Sequence, residues 1–91
     1  MSVQVKIPTV LRKHTDGNAA VEASGNTIGE LLADVDRKFP GFVKEVCDEG
    51  GALHRFINVY LNDEDVRYLS SLETDVSDGD VVAILPAVAG G

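Results

Sequence analysis

The chain has 91 residues, a net charge of −7 and a single cysteine. That length makes one small domain with one modest core, and the absence of any long apolar run excludes a membrane-spanning helix and a signal-peptide h-region. The negative charge argues against nucleic acid as a partner and favours a protein with a basic docking surface, while the lone Cys47 rules out an internal disulfide and fits a reducing, cytoplasmic setting.

The first strand is expected over Val3–Ile7, where Val3, Val5 and Ile7 alternate with Gln4 and Lys6. Pro8 closes it, because proline cannot donate to a ladder. The turn-rich stretch His14–Asn18 then leads into a second strand, Ala20–Ala23, giving a hairpin with a long loop. Thr27 and Glu30 form a capping box ahead of a helix. Its core face carries Ile28, Leu31, Leu32, Val35 and Phe39, and Asp34 and Lys38 are expected to pair on the exposed side. Pro40-Gly41 stops this helix. Phe42, Val43 and Val46 suggest a further helical turn over the core, and Asp48–Gly51 reads as a flexible surface loop.

A third strand is expected over Phe56–Leu61, with Ile57, Val59 and Leu61 on one face and Asn58 and Tyr60 on the other. Asn62–Asp65 is a tight acidic turn. Val66–Tyr68 follows as a short edge strand, and Leu69 and Leu72 pack in the connection beyond it. Asp78-Gly79-Asp80 marks a turn before the last strand, Val81–Leu85, which Pro86 ends. That strand is apolar on both faces, the pattern of a central strand buried on both sides. Placed beside the first strand it runs parallel to it, with the helix covering one sheet face.

Beyond Pro86 stand Ala87, Val88, Ala89, Gly90 and Gly91. Without a Cβ, the two glycines can enter a channel too narrow for any side chain, and five extended residues reach about 17 Å. The sequence thus divides into a body, residues 1–86, and a flexible tail, residues 87–91. The tail points to the Gly91 carboxylate as the reactive group.

Three segments carry a family resemblance: Ile57-Asn58-Val59-Tyr60-Leu61-Asn62-Asp63-Glu64-Asp65-Val66-Arg67, Asp78-Gly79-Asp80, and Ile84 through Gly91. Across essentially the whole chain the pattern resembles the bacterial ubiquitin-like sulfur carriers of thiamin, molybdopterin and cysteine biosynthesis. Leu53-His54-Arg55-Phe56 makes it most similar to the mycobacterial-type cysteine branch. The resemblance implies an α+β fold, the ubiquitin-like β-grasp, with a mixed sheet of four to five strands and one main helix.

It also implies that Gly91 is adenylated by an activating enzyme that uses ATP, then converted to a thiocarboxylate. Pro86, Ala87, Val88, Ala89 and Gly90 would thread into partner sites. In the cysteine branch the sulfur adds to an aminoacrylate held by a pyridoxal-phosphate-dependent cysteine synthase. A metal-dependent peptidase then releases cysteine. The carrier itself binds no cofactor and catalyses nothing. Alternatives are the small subunit of molybdopterin synthase, a ubiquitin-like modifier joined through Gly91 to lysines, and a plain interaction domain.

Other residues offer little chemistry. Cys47 has no second cysteine to resolve a disulfide and reads as structural. Asp63, Glu64 and Asp65 point different ways from a turn, so no metal site is expected. His14 and His54 lack a nucleophile pattern and read as surface residues. Phe56, Tyr60, Val81 and Leu85 are candidates for an apolar patch, with Arg55 and Arg67 as basic contacts around it; the contact residues singled out are Arg55, Phe56, Tyr60 and Arg67.

Overall fold

Alternation in the first strand has a direct structural outcome: Val3 and Val5 are fully buried, and Gln4 and Lys6 are exposed. The computed structural model describes residues 2–86; Met1 and residues 87–91, which include the expected tail, lie outside them. In chain order the elements are β1 (Val3–Lys6), a 3₁₀ segment (Thr9–Thr15), β2 (Ala20–Ala23), α1 (Ile28–Lys38), α2 (Phe42–Val46), β3 (Ile57–Leu61), β4 (Glu64–Asp65), two short 3₁₀ turns (Val66–Tyr68 and Ser71–Glu73) and β5 (Val81–Pro86).

The five strands form one mixed sheet in the order β2-β1-β5-β3-β4. The β1–β5 pair is parallel and the others antiparallel. A parallel pair needs a long crossover, and the segment between β1 and β5 contains both α-helices. This is the expected β-grasp.

The core lies between one sheet face and the helices. Val3, Val5, Val59, Val82 and Ile84 meet Ile28, Leu31, Leu32, Val35, Phe42 and Val46, each at most 2% exposed. Burying side chains of this kind contributes roughly 1.5–3 kcal/mol apiece before entropy is charged against it. Phe39 is half-buried at the margin of the cluster.

Helix α1 starts at the expected cap. Thr27 Oγ1 accepts from the Glu30 amide at 3.2 Å. The reciprocal arm departs from the capping box: Glu30 Oε1 accepts from Asn26 N, at 2.9 Å, one residue before the cap. Gly25 is needed here because a Cβ would stand 2.8 Å from Glu30 Cβ. At the other end Gly41 takes φ 101°, a conformation open to glycine that swings the chain from α1 into α2.

Several expectations are corrected. Asp34 does pair with Lys38, at 3.2 Å, but from a buried position. It also accepts from Ser24 N at 2.9 Å and pairs with Arg37, so it ties α1 to the end of β2. The amide hydrogen bond leads the causes that hold its carboxyl below the usual carboxylate range, with Lys38 and Arg37 adding to it against the cost of burial.

Strand β5 is central yet covered on one side only. Val82 and Ile84 are buried, whereas Val81 and Ala83 are half-buried and Leu85 is 45% exposed. Its apolar residues on the second face therefore mark an accessible surface. Pro86 does not stop β5 but sits in it, opposite Ile57.

The edge strand is Glu64–Asp65, and Val66–Tyr68 forms a 3₁₀ turn instead. Asn62 and Asp63 both adopt positive φ, making a two-residue hairpin turn that begins β4 earlier than expected. Leu72 packs against the core, but Leu69 is 40% exposed. The Asp48–Gly51 loop lies on the surface as expected, and within it Asp48 Oδ1 accepts from Gly50 N and Ala52 N. The long loop after β1 holds its own 3₁₀ segment, anchored by buried Leu11 and Thr15.

Candidate interaction face around Pro86

The two neighbours of β5 define the surface at its far end. β1 runs parallel to β5, so its last residue, Lys6, lies beside Ala83. β3 runs antiparallel, so its first residues, Ile57 and Asn58, lie beside Pro86 and Leu85. Residues just after β1 and just before β3 therefore gather at the end where β5 leaves the sheet.

Phe56 and Leu85 are the apolar part of this surface, 41% and 45% exposed. The Arg55 guanidinium lies 4.9 Å above the Phe56 ring, within cation–π range. The His54 ring lies tilted against Phe56, with centroids 5.3 Å apart, and its Nδ1 accepts from Phe56 N at 3.2 Å.

Arg67 reaches the same place from the 3₁₀ turn after β4. It donates to Asn58 Oδ1 at 2.6 Å and to the His54 carbonyl at 2.8 Å. Tyr60 sits further along β3, between Ala83 and Asp65, and is half-buried. The structure thus brings Arg55, Phe56 and Arg67 together at one end of the open face, with Tyr60 one row deeper. Pro86 is exposed at its edge. Ala87, Val88, Ala89, Gly90 and Gly91 lie outside the described residues.

Two members of this surface escaped the sequence reading. Lys6 and Arg12 line a shallow groove with Leu85 and Ala20 on the β1 side. Lys6 was legible in principle, since it alternates with buried Val5 and Ile7. Arg12 was not: its position depends on the 3₁₀ segment and on the hydrogen bond from its Nε to the Ile7 carbonyl, 3.1 Å. Asn62 was likewise missed. At the opposite end of the sheet its Oδ1 accepts from Val81 N at 3.0 Å and its Nδ2 donates to Asp80 at 3.1 Å, which fixes the start of β5.

The body offers little for catalysis. Cys47 is buried, and burial, reinforced by the charge of Asp48, pushes its thiol up from the ordinary range. That disfavours the nucleophilic thiolate. His14 lies 3.3 Å from Glu45, joining the first 3₁₀ segment to α2, with no nucleophile in the contact. Among the described residues no cluster of three His, Cys, Asp or Glu could hold a metal ion, and no helix is long and apolar enough to cross a membrane.

Residues 5–91 match the ThiS family. Over 93 aligned residues, covering all of both chains, the sequence is 50% identical to sulfur carrier protein CysO of Mycobacterium tuberculosis. The fold superposes with a TM-score of 0.91 on a chain in the crystal structure of the Amycolatopsis orientalis BexX/CysO complex, at 54% identity over 98% of this chain and 99% of that one. Small archaeal modifier protein 1 of Methanosarcina acetivorans superposes with a TM-score of 0.84, at 30% identity over 99% of this chain and 96% of its own.

Proposed function

This chain belongs to the ThiS family and is a sulfur carrier of cysteine biosynthesis, and we propose that its working group is the Gly91 carboxylate. It is a substrate and sulfur donor for other enzymes rather than a catalyst. The observation that carries the proposal is the extent of the family match, which runs through the terminal diglycine to residue 91. The body agrees with it. β5 leads the chain out from the middle of the sheet at Pro86, beside an exposed Phe56–Leu85 surface on which a partner can sit while it takes Ala87–Gly91.

The chemistry requires no side chain of the carrier. A carboxylate is a poor electrophile until its oxygen becomes a good leaving group. In a ubiquitin-activating-like partner the Gly91 carboxylate oxygen attacks the α-phosphate of ATP and pyrophosphate departs. A sulfur nucleophile then adds at the Gly91 carbonyl and AMP leaves, giving the thiocarboxylate. Its sulfur next forms a bond to the electrophilic carbon of an amino acid held by a pyridoxal-phosphate-dependent synthase. The acyl group shifts from sulfur to nitrogen, and a metal-dependent peptidase hydrolyses the resulting amide to free cysteine. ATP, pyridoxal phosphate and metal all belong to partners. We place this sequence in the cytoplasm, where Cys47 stays reduced.

Glycine at positions 90 and 91 serves both the narrow channel and the open carbonyl. A Gly90→Phe variant is expected to melt with the wild type and to support no carrier-dependent ATP–pyrophosphate exchange by the host activating enzyme. Normal exchange would contradict the proposal. Similarity to the archaeal modifier favours one second reading, conjugation of Gly91 to lysines; higher-mass species on an immunoblot of host extract would support it.

A further inference from the structure

The charge of this chain is unevenly placed along β5. At the end where β5 begins stand Asp63, Glu64, Asp78 and Asp80. Asp78 accepts from Ser2 N at 2.7 Å, and Asp80 from Ser77 N at 2.7 Å. At the end where β5 leaves the sheet stand Arg12, Arg55 and Arg67, and Lys6 lies midway along β5 beside Ala83, between this end and Asp63; together they are half of the eight basic residues in a chain of net charge −7.

Among the described residues none of these four cations has a carboxylate within ion-pair distance. The ion pairs among the described residues are Arg37–Asp34 and Lys38–Asp34, and the remaining close contact of this kind is His14 with Glu45. Arg12 and Arg67 are held instead by neutral acceptors, the Ile7 and His54 carbonyls and Asn58. Asp65, two residues before Arg67, spends Oδ1 on the Arg67 amide at 2.9 Å. Arg55 stands over Phe56. The cations flank an apolar centre of Phe56, Leu85 and Ala83 from both sides, Lys6 and Arg12 on the β1 side and Arg55 and Arg67 on the β3 side.

We propose that Lys6, Arg12, Arg55 and Arg67 form a basic collar around the root of the tail, and that it docks on an acidic rim at the mouth of the activating enzyme's tail channel. This rests on the carrier reading above and adds the sign and location of the complementary surface. It also revises the expectation from net charge. A partner reading the whole molecule would be basic, but one that covers the Pro86 end meets cations and must supply carboxylates, because burying unpaired charges is costly. The acidic pole at the other end then points away from the partner, so the charge separation turns the carrier tail-first during approach. Nucleotide phosphates are a poorer match for the collar. A tail extended into the channel carries Gly91 about 17 Å beyond Pro86, so a nucleotide at its tip lies well away from these side chains.

The test is carrier-dependent ATP–pyrophosphate exchange by the purified host activating enzyme, measured across a salt series. The variants are Lys6→Glu/Arg55→Glu, the neutral Lys6→Gln/Arg55→Gln, and Lys44→Glu on α2 as a control. Lys6 and Arg55 are chosen because neither side chain donates a hydrogen bond to the backbone of the described residues, and thermal melts check that each variant folds. The collar predicts that KM for the carrier rises on the order of tenfold or more for the double reversal at low salt. The neutral pair should fall between it and wild type, with kcat and Lys44→Glu unaffected. The wild-type KM should itself rise with salt, and less steeply in the double reversal. An unchanged KM for the folded double reversal, while wild-type protein supports exchange, overturns the collar and leaves the carrier reading intact. A rise confined to KM for ATP overturns it in favour of nucleotide contact. Absence of exchange with wild-type protein removes both readings together.

Discussion

The two faces of the sheet are built from alternate residues of the same strands and serve different ends. On the covered face Val3, Val5, Val59, Val82 and Ile84 are sealed under α1 and α2, none more than 1% exposed. On the other face Lys6, Tyr60, Ala83 and Leu85 stay wholly or partly accessible, with Phe56 exposed just before β3. A strand pattern that is apolar throughout usually means burial on both sides. In β5 it means burial on one side and an accessible apolar surface on the other. The difference teaches that the fold needs only every second residue of β5, so the remainder are free to serve a partner.

Substitution can break this contrast. Phe42→Ala, at the centre of the core, is expected to cost about 3–5 kcal/mol, read as a large loss of denaturant midpoint. Leu85→Ala on the open face should change stability by less than about 1 kcal/mol while weakening partner binding in the same preparation. If Leu85→Ala destabilised as much as Phe42→Ala, the faces would not differ as described.

Gly25→Ala comes next. An added Cβ would press to 2.8 Å on Glu30 Cβ and 3.0 Å on the Glu30 carbonyl carbon. A loss of about 1–3 kcal/mol in chemical denaturation is expected. A neutral result would mean that the link between β2 and α1 shifts freely.

Asp34→Asn probes the anchor between the same two elements and should cost about 1–3 kcal/mol near neutral pH. The folded-state pKa of Asp34 is lowered, so the unfolded chain takes up its proton first as pH falls. The stabilisation is complete above the unfolded value of about 3.9 and is lost as pH drops through the lower folded value. Denaturation from pH 6 down to pH 2 should therefore show a shallower acid loss in Asp34→Asn than in wild type. Parallel curves would place the acid sensitivity elsewhere.

Asn62→Ala tests the far end of β5. Removing its bonds to Val81 N and Asp80 should cost about 1 kcal/mol without changing exchange kinetics. Cys47→Ser is expected to have the smallest effect on function. Thiocarboxylate formation should be unchanged, because the thiol is buried and disfavoured from ionising; loss of sulfur loading in a folded Cys47→Ser protein would give Cys47 a chemical role.

How much of this was legible follows from the range of the interactions. The α1 face and cap, the β2 limits and the parallel β1–β5 arrangement were readable, because periodicity, capping and topology are local or rule-bound. Asp34 was placed on the wrong side: its i,i+4 spacing to Lys38 is visible in sequence, but its bond to Ser24 N across to β2 is not. Val66–Tyr68 looked like strand because of its residue types, while the hairpin turn at Asn62-Asp63 had already started the edge at Glu64. At the Pro86 end, Arg55, Phe56 and Arg67 were readable as candidate contacts, and the structure places them together. Lys6 and Arg12 were not, because they join the surface only through the parallel pairing of β1 with β5 and the 3₁₀ segment that follows β1.

The most direct test of the central claim is intact mass spectrometry of the protein isolated from its native host under reducing, alkylating conditions. The account predicts a fraction whose C-terminal Gly91 carries sulfur in place of one carboxylate oxygen, or an added cysteine residue. Free carboxylate alone, in cells actively making cysteine and with higher-mass lysine conjugates beside it, would contradict it.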